Sequence, residues 1–77
     1  MKYIRHKTGD TVIFPRSKSH NVMAADLGWP KALIDSAGFV VVREGRVWAG
    51  GESTSLGIAS KPKEDTEHIA NELGGTL

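Results

Sequence analysis

The chain has 77 residues, of which 39% are hydrophobic and 25% are charged, and its formal net charge is +1. This size predicts a single domain over residues 1–77, and the ordinary composition excludes collagen-like, low-complexity and wholly disordered chains. Cysteine is absent, which excludes disulfides, thiolate metal sites and cysteine nucleophiles. The first residues lack the apolar run of a signal peptide, and no stretch is long enough to span a membrane. We therefore expect a cytoplasmic protein that does not contact membranes.

Basic residues are concentrated at the start of the chain. Residues 1–20 hold five lysine or arginine side chains and one aspartate, whereas residues 21–77 hold five basic and eight acidic side chains. Such an imbalance can mark a surface for an anionic partner. The simpler interpretation is that lysines occupy the exposed faces and edges of short strands, where charge opposes aggregation.

The first half of the chain has the pattern of two strands and a helix, predicted over Lys2–His6, Thr11–Phe14 and residues 20–27. Between the strands, Lys7-Thr8-Gly9 is typical of a three-residue loop in which the glycine adopts a positive φ. Ser17 or Ser19 can cap the helix at its start. Gly28 and Pro30 mark its end.

The second half repeats this order, with strands predicted over residues 38–42 and 46–49 and a helix that begins near Pro62. Arg43-Glu44-Gly45 predicts a second three-residue loop, and residues 29–36 are interpreted as an apolar connection that covers an edge of the core. Gly74-Gly75 marks the end of the helix. The predicted fold is α+β with the order ββαββα, an antiparallel four-stranded sheet with two helices packed on it.

The second hairpin offers the first candidate binding surface. Arg46 and Trp48 are two residues apart in one strand, so their side chains share a face. A three-residue loop places Val40 and Val42 beside them. The opposite face, which the helices would cover, then carries Phe39, Val41, Val47 and Ala49. Three interpretations of Trp48 stay open: a core residue, an anchor of a protein–protein or homodimer interface, and a platform for nucleic-acid bases.

A second candidate site precedes the first helix and consists of Arg16, Ser17, Lys18, Ser19 and His20. The free amides and the dipole of a helix N-terminus favour an anion, and nearby hydroxyl and cationic groups would suit a phosphate. The alternative is that a serine only caps the helix and that the basic residues bind no ligand.

A third candidate site lies in a predicted loop of about nine residues, longer than a typical connection. Long loops on a rigid scaffold often carry binding residues. The polar residues of this loop are Glu52, Ser53, Thr54 and Ser55. The alternative is that Leu56 and Ile58 pin the loop to the core while Ser60 caps the last helix.

Signatures of catalysis are missing from the sequence. No pair of histidines has metal-ligand spacing, no glycine-flanked serine elbow occurs, and the paired glycines belong to neither a P-loop nor a dinucleotide fingerprint. A small hydrolase or phosphate-handling site would need distant groups such as His20 and Glu52 to converge. We therefore expect no enzymatic activity, no cofactor and no metal.

Residues 14–20 (FPRSKSH) and 51–62 (GESTSLGIASKP) resemble segments of small proteins of uncharacterised function encoded by bacteriophages and prophages. The resemblance implies no known active site. It implies a small non-enzymatic interaction protein that binds a host or phage macromolecule, with an unidentified protein or a second copy of the chain as the partner. The alternative is a nucleic-acid-binding module that uses the basic N-terminal third: Lys2, Arg5, Lys7, Arg16 and Lys18.

Overall fold

The computed structural model describes residues 1–73 and contains the predicted order of elements with two additions, a 3-10 turn after the first helix and a short two-stranded hairpin before the last helix. The elements are β1 (Lys2–His6), β2 (Thr11–Phe14), α1 (His20–Leu27), β3 (Ile34–Arg43), β4 (Arg46–Gly50), β5 (Glu52–Ser53), β6 (Ile58–Ala59) and α2 (Pro62–Glu72), with a 3-10 turn over Lys31–Leu33. The first four strands form an antiparallel sheet in the order β2-β1-β3-β4, and β5 pairs with β6 separately. The predicted α+β class and four-stranded antiparallel sheet are confirmed.

Glycine and proline explain several element boundaries. Gly9 has a φ of 100°, and its amide donates to the His6 carbonyl at 2.8 Å, as expected for the three-residue loop between β1 and β2. Gly28 ends α1 with a φ of 71°. Pro62 lies in the first turn of α2, where the backbone N–H has no helical partner to lose. The predicted helix end at Gly74-Gly75 lies outside the described residues.

The chain between α1 and β3 is more regular than predicted. The interpretation of residues 29–36 as a connection is wrong for the last three, because β3 begins at Ile34 and runs for 10 residues. Asp35 and Ser36 are poor β-formers, and both contact Arg5 of the neighbouring strand through their side chains. Partners so distant in sequence leave no local pattern from which the start of this strand could be predicted.

The turn between β3 and β4 has two residues, not the predicted three. Glu44 and Gly45 have positive φ values of 52° and 74°, the conformation of a type I′ hairpin turn. Arg43 therefore pairs directly with Arg46. Type I′ turns usually carry asparagine, aspartate or glycine at the first central position, so a glutamate there does not indicate a type I′ turn in the sequence.

The shorter turn moves β3 by one residue relative to β4, which exchanges the faces of its side chains. Val41 lies opposite Trp48 and is exposed with it, whereas Val40 lies opposite Ala49 and is buried. The prediction that Val40 and Val42 accompany Trp48 is therefore wrong. The prediction that Arg46 shares a face with Trp48 is unaffected, because it depends only on alternation within one strand.

The sheet is covered on both faces, with one helix on each. Tyr3 and Ile4 are adjacent in β1, so their side chains point to opposite faces, and both are fully buried. Ile4 packs with Ala24 of α1 and with Leu56 between β5 and β6, whereas Tyr3 packs with Ile69 of α2. The expectation that both helices cover the same face is therefore wrong.

Candidate functional site

The end of the β3–β4 hairpin is left uncovered on one face. Trp48 is 57% exposed, and its cross-strand partner Val41 is 50% exposed. On the other face of β4, Val47 and Ala49 are buried in the cluster that contains Ile69 of α2. Trp48 is therefore not a core residue, and the Val41–Trp48 pair presents apolar side chains to solvent.

Two arginines complete this uncovered face, and we refer to Val41, Arg43, Arg46 and Trp48 together as the hairpin surface. Arg43 follows Val41 by two residues and Arg46 precedes Trp48 by two, so the four side chains project from one face. Like charges directly opposite one another destabilise a sheet. Within residues 1–73 neither guanidinium forms a salt bridge. Folding alone therefore gives no reason for placing these two arginines side by side.

A third arginine borders the hairpin surface. Arg16, Phe39 and Val41 are among the residues that line a shallow cavity of about 190 Å³. Arg16 is exposed and, like the hairpin arginines, has no salt bridge within the described part of the chain. Three of the four arginines in the sequence thus lie on or beside the hairpin surface.

A larger groove opens along β4 between Trp48 and α2. Its volume is about 420 Å³, and its lining is mainly apolar. The groove is lined by Trp48, Ala49, Pro62, Lys63, Thr66 and Glu67. The Ala49 amide donates to Thr66 Oγ1 at 3.1 Å, which holds α2 beside this strand. Trp48 therefore belongs both to the arginine-bearing face and to the wall of an apolar groove.

The start of α1 contacts the β5–β6 hairpin. The backbone amide of Asn21 donates to Ser55 Oγ at 3.2 Å, so a hydroxyl from another element satisfies one free amide of the helix N-terminus. Ser19 is the N-cap residue, but its hydroxyl donates to Asn21 Oδ1 and forms no side-chain cap. The structure thus brings together parts of the second and third candidate sites without leaving that amide open to an anion.

His20 is buried under the sheet rather than exposed to a ligand. Its Nε2 donates to the Gly38 carbonyl at 2.8 Å, and its ring packs edge-on against Phe14 and Phe39. Burial lowers the pKa of His20 and favours the neutral imidazole. Glu52, the carboxylate considered as its catalytic partner, is exposed.

The predicted loop after Gly50-Gly51 is a short hairpin rather than an irregular segment. Ser53 lies opposite Ile58 in the β5–β6 pair, and its buried hydroxyl accepts a hydrogen bond from the Leu56 amide at 3.1 Å. Ser53 therefore shapes the turn. The other polar residues of this candidate site are exposed: Glu52, Thr54 and Ser55.

The basic N-terminal third is divided between the core and the surface. Arg5 is buried and paired with three carboxylates: Asp35, Glu64 and Asp65. Lys18 Nζ lies 2.6 Å from a carboxylate oxygen of Asp26. Among the candidate phosphate site over residues 16–20 and the basic residues of the N-terminal third, the exposed ones are Lys7, Arg16 and Ser17. The basic residues close together in sequence are thus not gathered on one surface.

A buried polar network surrounds Asp65 and was not predicted from the sequence. Asp65 accepts hydrogen bonds from the Tyr3 hydroxyl, the Ser36 hydroxyl at 2.6 Å, Arg5 Nε at 2.8 Å and the Lys61 amide at 2.7 Å. Burial alone would raise the pKa of Asp65, but these hydrogen bonds together hold it below its usual value. Burial and the bond to Asp65 raise the pKa of Tyr3. Every buried side-chain polar atom of the described residues has a partner. Because Asp65 belongs to α2 and its side-chain partners belong to β1 and β3, the network ties α2 to the sheet.

No protein-family model matches the chain, and comparisons with curated proteins and with solved structures give no match. Among residues 1–73, no three histidine, aspartate or glutamate side chains are grouped so as to hold a metal ion. No helix in the same range has the length and apolar character required to cross a membrane. The described structure therefore defines a small α+β domain with an uncovered, arginine-flanked tryptophan.

Proposed function

We propose that the protein is a non-enzymatic interaction module that binds a macromolecular partner through the hairpin surface. The observation that carries this proposal is the cross-strand pair of Val41 and Trp48, each at least half exposed. Tryptophan and arginine are the side chains that most often dominate binding energy at protein interfaces. A small domain has little apolar surface to spare, so an aromatic side chain left in water is best explained by a partner that covers it.

The resemblance of residues 14–20 and 51–62 to phage and prophage proteins supports the same proposal. Proteins of that kind without enzymatic machinery commonly act by binding a macromolecule of the host or the phage. We place the interaction in the cytoplasm. In this proposal the β5–β6 hairpin and the start of α1 support the sheet, while the hairpin surface contacts the partner.

The proposal is tested with the tagged full chain on beads and a host lysate divided into nuclease-treated and untreated halves. We expect one protein, identified by mass spectrometry, to be retained from both halves by the wild-type chain. With that partner purified, calorimetry should show affinity about 30-fold weaker for Trp48→Ala, as truncation of a central tryptophan typically costs about 2 kcal/mol of binding free energy.

Leu33→Ala is the matched control for this experiment. Leu33 is 44% exposed and lies outside the hairpin surface, so its truncation removes exposed apolar area at a position that the proposal does not use. Both variants should keep the thermal unfolding midpoint of the wild type to within a few degrees, because neither side chain is in the core. Equal affinities for wild type and Trp48→Ala would contradict the proposal.

Nucleic-acid binding is the second candidate function. The observation that favours it is the absence of salt bridges at Arg16, Arg43 and Arg46 within residues 1–73. Phosphate contacts make the logarithm of the affinity fall linearly with the logarithm of the salt concentration, whereas an interface anchored by tryptophan depends less on salt. Material retained only from the untreated lysate, with such a salt dependence, would favour this second function.

A further inference from the structure

We propose that the partner of the hairpin surface is an acidic protein segment that carries an apolar anchor residue. Its carboxylates would contact Arg43 and Arg46, and its apolar side chain would occupy the groove between Trp48 and α2. This inference rests on the proposed function and adds the chemistry of the partner. Trp48 joins the two contacts, because it lies on the arginine-bearing face and also lines the groove.

The charges on this side of the molecule favour an acidic partner. Arg43 and Arg46 are exposed cross-strand neighbours, and Arg16 lies beside Val41. A carboxylate can accept two parallel hydrogen bonds from one guanidinium, which gives such a contact both energy and geometric specificity. Glu44 at the tip of the turn is the one acidic residue among residues 39–50, the part of the hairpin that carries the hairpin surface. Within residues 1–73 the hairpin surface therefore has no salt-bridge partner for its positive charge, which a partner's carboxylates would complement.

The same charges disfavour a second copy of the chain as the occupant. A symmetric dimer through the hairpin surface would place two Arg43–Arg46 pairs close to one another. Like charges brought together across an interface oppose association. A partner with the opposite charge removes this repulsion and relieves the repulsion already present between the two arginines.

The groove between Trp48 and α2 would bind the apolar anchor residue of the partner. Its volume of about 420 Å³ falls in the range of about 300–1,000 Å³ that is usual for small-ligand pockets, which leaves room for an aliphatic or aromatic side chain. Lys63 lies on its wall and offers a further cation to the segment. An anchor in this groove would cover part of Trp48, which lines it.

Single-stranded nucleic acid fits the same surface less well. Platforms for base stacking normally present two or three aromatic rings, whereas Trp48 is the one aromatic side chain of the hairpin surface. Glu67 on the groove wall and Glu44 at the turn would also lie near a phosphate backbone and repel it. An acidic protein segment can place its carboxylates away from these two residues.

Synthetic 12-residue peptides test the inference on the full chain, with two-dimensional ¹⁵N–¹H spectra as the readout. The first peptide is rich in glutamate with two central leucines. The second replaces the leucines with serine, and the third replaces every glutamate with glutamine; a 12-nucleotide oligothymidylate is the fourth probe. We expect the first peptide to shift the Trp48 indole signal and the amides of residues 41–48, and to bind at least tenfold more tightly than the other three.

The arginines are tested with the double variant Arg43→Gln/Arg46→Gln. It should weaken binding of the first peptide at least tenfold, whereas the charge-matched control Lys7→Gln/Lys31→Gln, which removes two exposed cations elsewhere, should not. Equal binding of the glutamine peptide, tighter binding of oligothymidylate, or no response to the first peptide would each overturn the inference. If a partner captured from lysate still depended on Trp48 in any of these cases, the proposed function would stand without the acidic segment.

Discussion

Arg5 Nε lies 2.8 Å from Asp65 Oδ1, which joins β1 to the first turn of α2 across a sequence separation of 60 residues. Asp65 is fully buried, and the guanidinium has two further carboxylates, Asp35 and Glu64. Burying two charges is compensated only when geometry and hydrogen bonding are nearly complete. The contacts of Asp65 with Tyr3 and Ser36 meet that condition, so the first prediction concerns the loss of one partner.

Asp65→Asn should destabilise the fold by about 3–5 kcal/mol, because it leaves the buried Arg5 guanidinium without its closest buried counter-charge. Glu64→Gln is the matched control, since it removes an adjacent carboxylate that contacts the same arginine but has a side chain 63% exposed. Its cost should stay below about 1 kcal/mol. Urea denaturation followed by circular dichroism measures both. Similar losses of unfolding free energy for the two variants would show that the buried network does not dominate the attachment of α2 to the sheet.

This network also shows why part of the fold could not be predicted from the sequence. The exact bounds of β1, β2 and α1 follow from neighbours such as Gly9 and Gly28, whose effects act within a few residues. The partners of Arg5 are 30 to 60 positions away by number, and no spacing rule connects them. The alternation that places Tyr3 and Arg5 on one face of β1 was the only available signal, and it does not identify Asp65.

The second prediction concerns His20 and pH. Burial lowers its pKa in the folded state, so the unfolded chain binds the proton more tightly. The stability that neutral His20 contributes is therefore fully present above the unfolded pKa of about 6.5. It declines as the pH falls from there through the lower pKa of His20 in the folded state. His20→Gln keeps a donor for the Gly38 carbonyl but cannot titrate. We expect its free energy of unfolding to change less than that of the wild type between about pH 7 and about pH 5.

Phe39→Leu is the control for this experiment. It removes a ring that packs edge-on against His20 but leaves the imidazole and its bond to Gly38 in place. The variant should be less stable at both pH values while keeping most of the wild-type dependence on pH. A His20→Gln variant with an unchanged pH dependence would mean that other groups cause the decline.

The third prediction concerns two glycines on neighbouring strands. A Cβ added at Gly38 would overlap the carbonyl oxygen of Gly50 and lie 3.2 Å from Ser60 Cβ. A backbone oxygen cannot rotate away, so we expect Gly38→Ala to cost about 2–3 kcal/mol of unfolding free energy. Gly50→Ala is the control, because a Cβ there meets no atom within 4 Å. Denaturant midpoints of the two variants should differ clearly, and equal midpoints would contradict this account of Gly38.

The candidate surface was only partly predictable for a related reason. Arg46 and Trp48 were assigned to one face correctly, because alternation within a strand does not depend on its partner. Val41 and Arg43 were missed, since their assignment required the length of the turn. Gly45 was identified as a turn glycine, but the positive φ of Glu44 that shortens the turn has no signature in a glutamate.

The fourth prediction uses this turn to test the register directly. Glu44 has a φ of 52° in a two-residue turn, a conformation that asparagine adopts more readily than glutamate. Glu44→Asn should therefore stabilise the protein by about 0.5–1 kcal/mol, measured by urea denaturation. Gly45→Ala is the opposing variant, because a Cβ at a φ of 74° should cost about 1–2 kcal/mol. In a three-residue loop Glu44 would have a negative φ, and Glu44→Asn would give no gain. Destabilisation by Gly45→Ala is expected for either turn, because the glycine has a positive φ in both. Stabilisation by Glu44→Asn therefore supports the pairing of Val41 with Trp48 on which the binding proposal depends.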